Sequence, residues 1–319
     1  MQKLIALFVG ALLWSTTFAA ASAANTYPVK PIVLVTWSAA GSPVDVMARE
    51  IAKLSQKYLN VPMVVEDKTG ADGGIALSFL SGQPADGYTI LALTSSLTVT
   101  LNTSLKDKFK TNQFSFLGTV ETDPYVIAVR SDSPFKTFAD LVNATKTQPN
   151  VTIGGPFAES AESFFAREMG NVVKFKFNWV PFNGGSSAVT AGLGGHVDAI
   201  CTNVGGVSSL VKSGQMRVLA FSGTQNSPQL PGAPTFASLG YKSLSGSHWR
   251  GVMSKAGLPP EVEAKLNTFL RQVANDPEFL QYVHSSGLLP FYNDHQRSEK
   301  LVSEDMISIA AQIAAGISR

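Results

Sequence analysis

Four Gly/Ser-rich breaks constrain this chain more than any other feature. They are Ser38-Ala39-Ala40-Gly41-Ser42, Thr69-Gly70-Ala71-Asp72-Gly73-Gly74, Gly154-Gly155-Pro156-Phe157-Ala158-Glu159-Ser160 and Phe182-Asn183-Gly184-Gly185-Ser186-Ser187. The first, third and fourth follow an apolar strand-like run, and all four lead into a helix-like stretch. A helix start leaves backbone N–H groups without intrahelical partners, and its dipole favours negative charge. Such junctions are anion-binding candidates. Two lie early and two past the middle, which predicts anion-binding loops on two separate lobes facing one cleft.

Strand and helix signals alternate from Pro31 onward, the pattern of parallel α/β sheets. Strands are expected at 32–35, 63–66, 88–93, 125–130, 151–153, 175–181, 197–200 and 218–221. Helical spacing is expected at 45–58, 75–80, 137–147, 161–169 and 188–193. Thr94-Ser95-Ser96 reads as a stop after the third strand. The stretch 224–234, rich in Pro, Gln, Asn and Ser, reads as an exposed loop. Past Trp249-Arg250-Gly251-Val252 the character becomes helical. One helix starts at Pro259-Pro260-Glu261 with proline at a favoured position. Val262, Leu266, Phe269, Leu270 and Val273 form its apolar face.

At 319 residues the chain is long enough for two domains, and 45% hydrophobic content supports a packed core. Lys3, the apolar run from Leu4 to Trp14 and the small residues Ala21-Ser22-Ala23 form a secretory signal pattern. Residues 1–24 are expected to be removed on secretion. The formal charge of +2 then falls by the one charge of Lys3, and no basic stripe suggests nucleic acid. Cys201 is the only cysteine, so an internal disulfide and a thiolate metal cluster are excluded. It reads as a buried strand residue. The four histidines stand singly, without metal-ligand spacing. No phosphate-loop motif, dinucleotide fingerprint or nucleophile elbow with its partners is present. The expectation is no enzyme, no metal and no cofactor.

Several segments occur together in a recognisable order. Gly70-Ala71-Asp72-Gly73 precedes Asp86-Gly87-Tyr88-Thr89; then come Asp123-Pro124-Tyr125-Val126, Pro181-Phe182-Asn183-Gly184-Gly185 and Gly194-Gly195-His196-Val197-Asp198. Ser227-Pro228-Gln229-Leu230-Pro231 and Trp249-Arg250-Gly251 follow. In these segments the chain resembles the periplasmic solute receptors of tripartite tricarboxylate transporters, also called Bug receptors. The resemblance implies a two-lobed periplasmic binding protein fold, α/β and type II-like, with two crossovers. Lobe 1 would comprise 25–124 and 250–319, and lobe 2 would comprise 125–249. It implies capture of a carboxylate by loop backbone, hydroxyls and water. Carried over by position, the groups on lobe 1 are Ser38, Ala40, Gly41, Ser42, Asp72, Gly73, Ser95 and Ser96. Those on lobe 2 are Glu159, Ser160, Phe182, Asn183, Gly184, Gly185, Ser186 and Asn203. The chain departs from the family where Asp72 replaces a usual glycine, where the first loop is poorer in glycine, and at Glu159.

Arg250 has two readings: a charge-assisted fork to a ligand carboxylate, or an ion pair between lobes. Asp45, Asp72 and Glu159 would repel a carboxylate, so each either faces away or serves a hydroxyl or ammonium. Trp249 and Phe182 wall the cleft or belong to the core. The expected function is a monomeric receptor that binds a small organic acid and delivers it to membrane permease subunits. A sensory protein presenting the same ligand to a signalling receptor is the alternative. The sequence leaves open citrate-like acids, dicarboxylates, aromatic carboxylates and carboxylated vitamins.

Overall fold

Apolar runs and amphipathic stretches alternate through the first hundred residues of this computed structural model, which describes residues 27–148, 150–223 and 227–314. The expected leader, 1–24, lies outside the described residues. The order is β1 (Ile32–Thr36), α1 (Pro43–Lys53), α2 (Ser55–Leu59), β2 (Met63–Asp67), α3 (Gly74–Gly82), β3 (Thr89–Thr94) and α4 (Ser95–Asn102). A long strand, β4 (Phe114–Arg130), leads to α5 (Phe138–Thr147), β5 (Thr152–Pro156), α6 (Ala161–Val173), β6 (Asn178–Phe182) and α7 (Gly185–Leu193). Then follow β7 (Ala199–Asn203), α8 (Val204–Lys212), β8 (Met216–Phe221) and β9 (Ser247–Lys255). The chain closes with α9 (Pro260–Ala274), α10 (Pro277–Ser285), β10 (Leu289–Asn293) and α11 (His295–Ala314).

Two sheets share β4. Up to Pro124 it pairs with β9, which continues to β3, β1 and β2; from Tyr125 it pairs with β7 and β8, and β7 continues to β5 and β6. Strands β1, β2 and β3 are mutually parallel, as are β5, β6 and β7. Parallel strands covered on both faces are nearly all apolar, and β4 is buried at every position but Arg130. Successive side chains alternate between faces. Ile90 and Ala92 therefore join one core while Leu91 and Leu93 join another. In the second sheet Val126 and Ala128 face one core, and Ile127 and Val129 the other. Each lobe is thus a sheet between two helical layers. The fold is the expected two-lobed α/β architecture.

The apolar face read for α9 is buried in the first lobe's core. Ile309 of α11 and Val99 of α4 instead join a core of the second lobe. Cys201 is buried in β7, in the same core. Three local readings change. The helix expected at 45–58 is two helices, because the Leu54 N–H closes the first by donating three residues back, to Ile51 O. Thr94-Ser95-Ser96 does not stop the chain but turns it into α4. Strand character persists through 114–124 and on to Lys255, since β4 and β9 supply each other's backbone partners. Gly251 is required there: a Cβ would lie 2.1 Å from Gly118 O across the ladder.

Candidate functional site

Parallel strands send off their helices from one edge, and the crevice beyond the carboxyl ends is where α/β sheets bind ligands. In the first lobe β1, β2 and β3 lead to α1, α3 and α4; in the second, β5, β6 and β7 lead to α6, α7 and α8. The switch of β4 between sheets lies at the same edges, since Thr94 pairs with Arg250 and Tyr125 with Asn203. Asp123-Pro124-Tyr125 and the first residues of β9 therefore form the floor between the two sets of helix starts.

The six starts differ in how they are closed. Ser42 caps α1, accepting from the Asp45 N–H at 3.4 Å. Asp45 in turn accepts from the Gly41 N–H at 2.8 Å and pairs with Arg49. Burial opposes ionisation of Asp45, but Arg49 and the Gly41 N–H outweigh it and hold the carboxyl below its ordinary range. The charge of Asp45 thus closes its own loop. Ser38 accepts from Thr36 through its carbonyl, and Ala40 and Gly41 are exposed. Ser160 caps α6 in the same self-contained way: its hydroxyl accepts from Ser163 N–H and donates to Pro156 O at 2.7 Å.

The N-cap residue's own side chain closes none of α3, α4, α7 and α8, but the start of α8 is closed by Asp123, whose carboxylate accepts from the Gly205 N–H. Before α3 the backbone stays left-handed through Gly70, Ala71, Asp72 and Gly73. Gly73 is fixed by packing, because a Cβ would lie 2.6 Å from Leu97 and 3.7 Å from Trp37. That contact brings the second loop, the end of β1 and α4 together. Asp72 is exposed. Before α7, Gly184 has φ +142°, and a Cβ on Gly185 would have only Thr202 Oγ1 nearby, at 3.7 Å. The third and fourth loops are tied by Phe157 N–H to Phe182 O at 2.8 Å. Glu159 is exposed, as are Asn183 and Ser186, and Phe182 is half-buried against the second lobe's core. Asn203 directs its side chain to Asp123 O at 3.2 Å rather than capping α8.

The floor is charged and buried. The Arg250 guanidinium lies 2.8 Å from Glu121 and 3.4 Å from Asp123, all three buried. Asp123 also accepts from the Gly205 N–H at the start of α8, at 3.2 Å. Burial pushes the Asp123 carboxyl up to about 6, although Arg250 and the Gly205 N–H pull it down. Glu121 is raised by burial too. Burial works against the charge of Arg250, but Glu121 and then Asp123 keep it above its ordinary value. Its fork therefore holds two strands of the floor. Trp249 is a core residue whose indole donates to Asp305 at 2.8 Å. Sequence reasoning missed Glu121, Asp123, Thr94, Glu162 and the part played by His248. Glu121, Asp123 and His248 were signalled only by lying in or beside Asp123-Pro124-Tyr125-Val126 and Trp249-Arg250-Gly251; Thr94 was read only as part of a strand stop, and Glu162 carried no signal. Among the described residues no cluster of His, Cys, Asp and Glu could hold a metal ion, and no helix is long and apolar enough to cross a membrane.

A two-sheet α/β protein with helix starts converging on an inter-lobe crevice is built as a solute-binding receptor. The tripartite tricarboxylate transporter family receptor model matches residues 47–315, and the chain belongs to this family of periplasmic binding proteins. It is 26% identical to protein BugT of Bordetella pertussis over 310 residues, covering 96% of this chain and 95% of that one. A TctC solute-binding protein from Polaromonas superposes with TM-score 0.77 at 26% identity, over 91% of this chain and all of that one. Two Rhodopseudomonas palustris proteins share the fold: MatC with bound malate (TM-score 0.75, 20% identity, 92% and 100% covered) and another with adipate (TM-score 0.79, 21% identity, 92% and 98% covered). The chain is a receptor and not an enzyme.

Proposed function

We propose that this receptor binds a small organic carboxylate in the inter-lobe crevice and delivers it to the membrane subunits of a tripartite tricarboxylate-type transporter. The observation that carries this is the uncapped start of α3, α4 and α7 at the carboxyl edges of both sheets. Free N–H groups and helix dipoles attract an anion without a cationic side chain. The family membership and the malate and adipate held by structural neighbours support the same chemistry. The backbone at Gly73, Gly184, Gly185 and Ser186 is the first choice for contact, with Ser95, Ser96 and Asn203 beneath it. Ser42, Ser160 and Arg250 act by holding their loops and strands in place.

The lobes divide near residues 124 and 250, and the bound acid shifts the population toward a closed form that the permease recognises. The mature receptor starts after a cleaved leader, 1–24, and acts as a monomer. Calorimetry with acids and their matching methyl esters tests the reading. Binding of the acid with loss on esterification is expected, and equal affinity would overturn it.

A further inference from the structure

The crevice floor holds polar groups that the loop backbone does not use. Thr94 precedes α4 but makes no side-chain cap, and its Oγ1 is buried without a partner among the described residues. The residue itself is 1% exposed. Strand register places Thr94 opposite Arg250, and His248 opposite Asp123. Opposite residues of an antiparallel pair share a face, and alternate residues return to it. Thr94, Arg250 and His248 therefore project from one face of the floor.

His248 links the two lobes. Its Nε2 lies 3.2 Å from Ser96 Oγ, in the first turn of α4. Its Nδ1 is buried, unpartnered among the described residues, and 3.9 Å from Glu162 Oε1 in the first turn of α6. That separation is too long for a hydrogen bond, yet one oxygen about 2.8 Å from each atom fits astride it. The two side chains keep 12% and 7% of their surface exposed. With Nε2 accepting from Ser96, Nδ1 carries the ring proton. A hydroxyl oxygen could then accept from Nδ1–H and donate to Glu162.

A second ligand carboxylate suits this place poorly. Glu162, Glu121 and Asp123 line the floor, and the Arg250 guanidinium is already held by the latter two. Burial, and then Arg250, push the His248 imidazole well below its ordinary value, so it offers no compensating charge.

We propose that Thr94, Ser96, His248 and Glu162 form a subsite for an uncharged hydroxyl of the ligand. The receptor then selects a hydroxylated carboxylate over the same acid without the hydroxyl. This rests on the carboxylate reading above.

Calorimetry with matched pairs tests it: malate and succinate, mandelate and phenylacetate, 3-hydroxybutyrate and butyrate. In at least one pair the hydroxy acid should bind about tenfold tighter or more, as for a site built to pair a hydroxyl. His248→Ala and Thr94→Val should each bring that ratio to within about threefold, short of the tenfold or more expected of the parent. Thr94→Val keeps the side-chain shape and guards against a His248 variant that fails to fold, with circular dichroism as the check. Binding without hydroxyl preference, or a preference that survives in the folded variants, overturns the subsite alone. If none of the six acids binds, the carboxylate reading falls and this proposal with it.

Discussion

Replacing Arg250 with methionine should cost this receptor a large part of its stability. The substitution keeps an apolar stem of similar length and removes the one cation between Glu121 and Asp123. The three side chains are at most 4% exposed. At an effective dielectric near 20, Coulomb's law gives about 5–6 kcal/mol of attraction for each pair at these separations. Much of that offsets desolvation of the three charges, so the pairs add little net stability. Removing only one partner is different, because the buried carboxylates keep their desolvation cost and lose their compensation. The expected loss is about 3–5 kcal/mol. Asp123 would retain the Gly205 N–H and Glu121 the Tyr282 hydroxyl, which limits the damage. Urea and thermal melts of Arg250→Met should show the loss near pH 7.5 and a smaller one near pH 5, where the raised carboxyls take up protons. Adding Glu121→Gln and Asp123→Asn to Arg250→Met should recover more than half of it. An Arg250→Met variant as stable as the parent, or an equal loss when both carboxylates are already amides, would refute the reasoning.

Four other outcomes follow from the geometry. Burial raises Asp123 and Asp305 to about 6. A raised carboxyl contributes stability that is complete below its unfolded value near 4 and lost as pH rises through about 6. Asp45, Asp140 and Asp276 are lowered, so their contribution is lost below about pH 4. Chemical denaturation should therefore show stability rising from pH 7 to about 5 and falling below about 4; a steady fall from pH 7 would contradict this. Gly185→Val should abolish ligand binding in calorimetry with little change in melting, because its Cβ meets nothing closer than 3.7 Å. Gly184→Val should lower the melting temperature, since φ +142° is strained for a branched residue. Gly251→Ala should destabilise by several kcal/mol, on the order of a buried backbone clash, because the β4–β9 ladder must part; an unchanged urea midpoint would show that the strands can separate freely.

What the sequence disclosed follows the range of its signals. Short continuous apolar runs announced β1, β2 and β3, and the spacing of Val262, Leu266, Phe269 and Val273 announced α9, because burial is written in local patterns. Leu54 broke a helix that periodicity alone left whole. The stretch 114–124 escaped notice because it carries Gly118, Glu121, Asp123 and Pro124, which read as loop. Their burial depends on Arg250, more than a hundred residues later in the chain. The breaks at Gly73 and Gly184 were visible because glycine marks them. Whether a start was capped was not, since the donors and acceptors of Ser42, Asp45 and Ser160 had to be placed in space. His248 and Glu162 meet only through the fold, and neither carries a spacing rule that sequence could reveal.

The switch of β4 between sheets also decides which bonds a rotation of the lobes would touch. Pro124 brings no N–H to the ladder. The Tyr125 N–H donates to the Ser222 hydroxyl at 2.8 Å, and Asp123 O accepts from the Asn203 side chain. Side chains can swivel where ladder bonds hold a register, so the backbone here stays satisfied over a range of angles. Arg250, Glu121 and Tyr282 belong to the first lobe and would move as one body. Asp123 connects them to the start of α8 through the Gly205 N–H. On the proposed lobe division, a change in lobe angle would reach the Arg250 cluster through that carboxylate. That carboxylate also closes the start of α8, so the charge that braces the floor occupies a peptide group that would otherwise face the crevice.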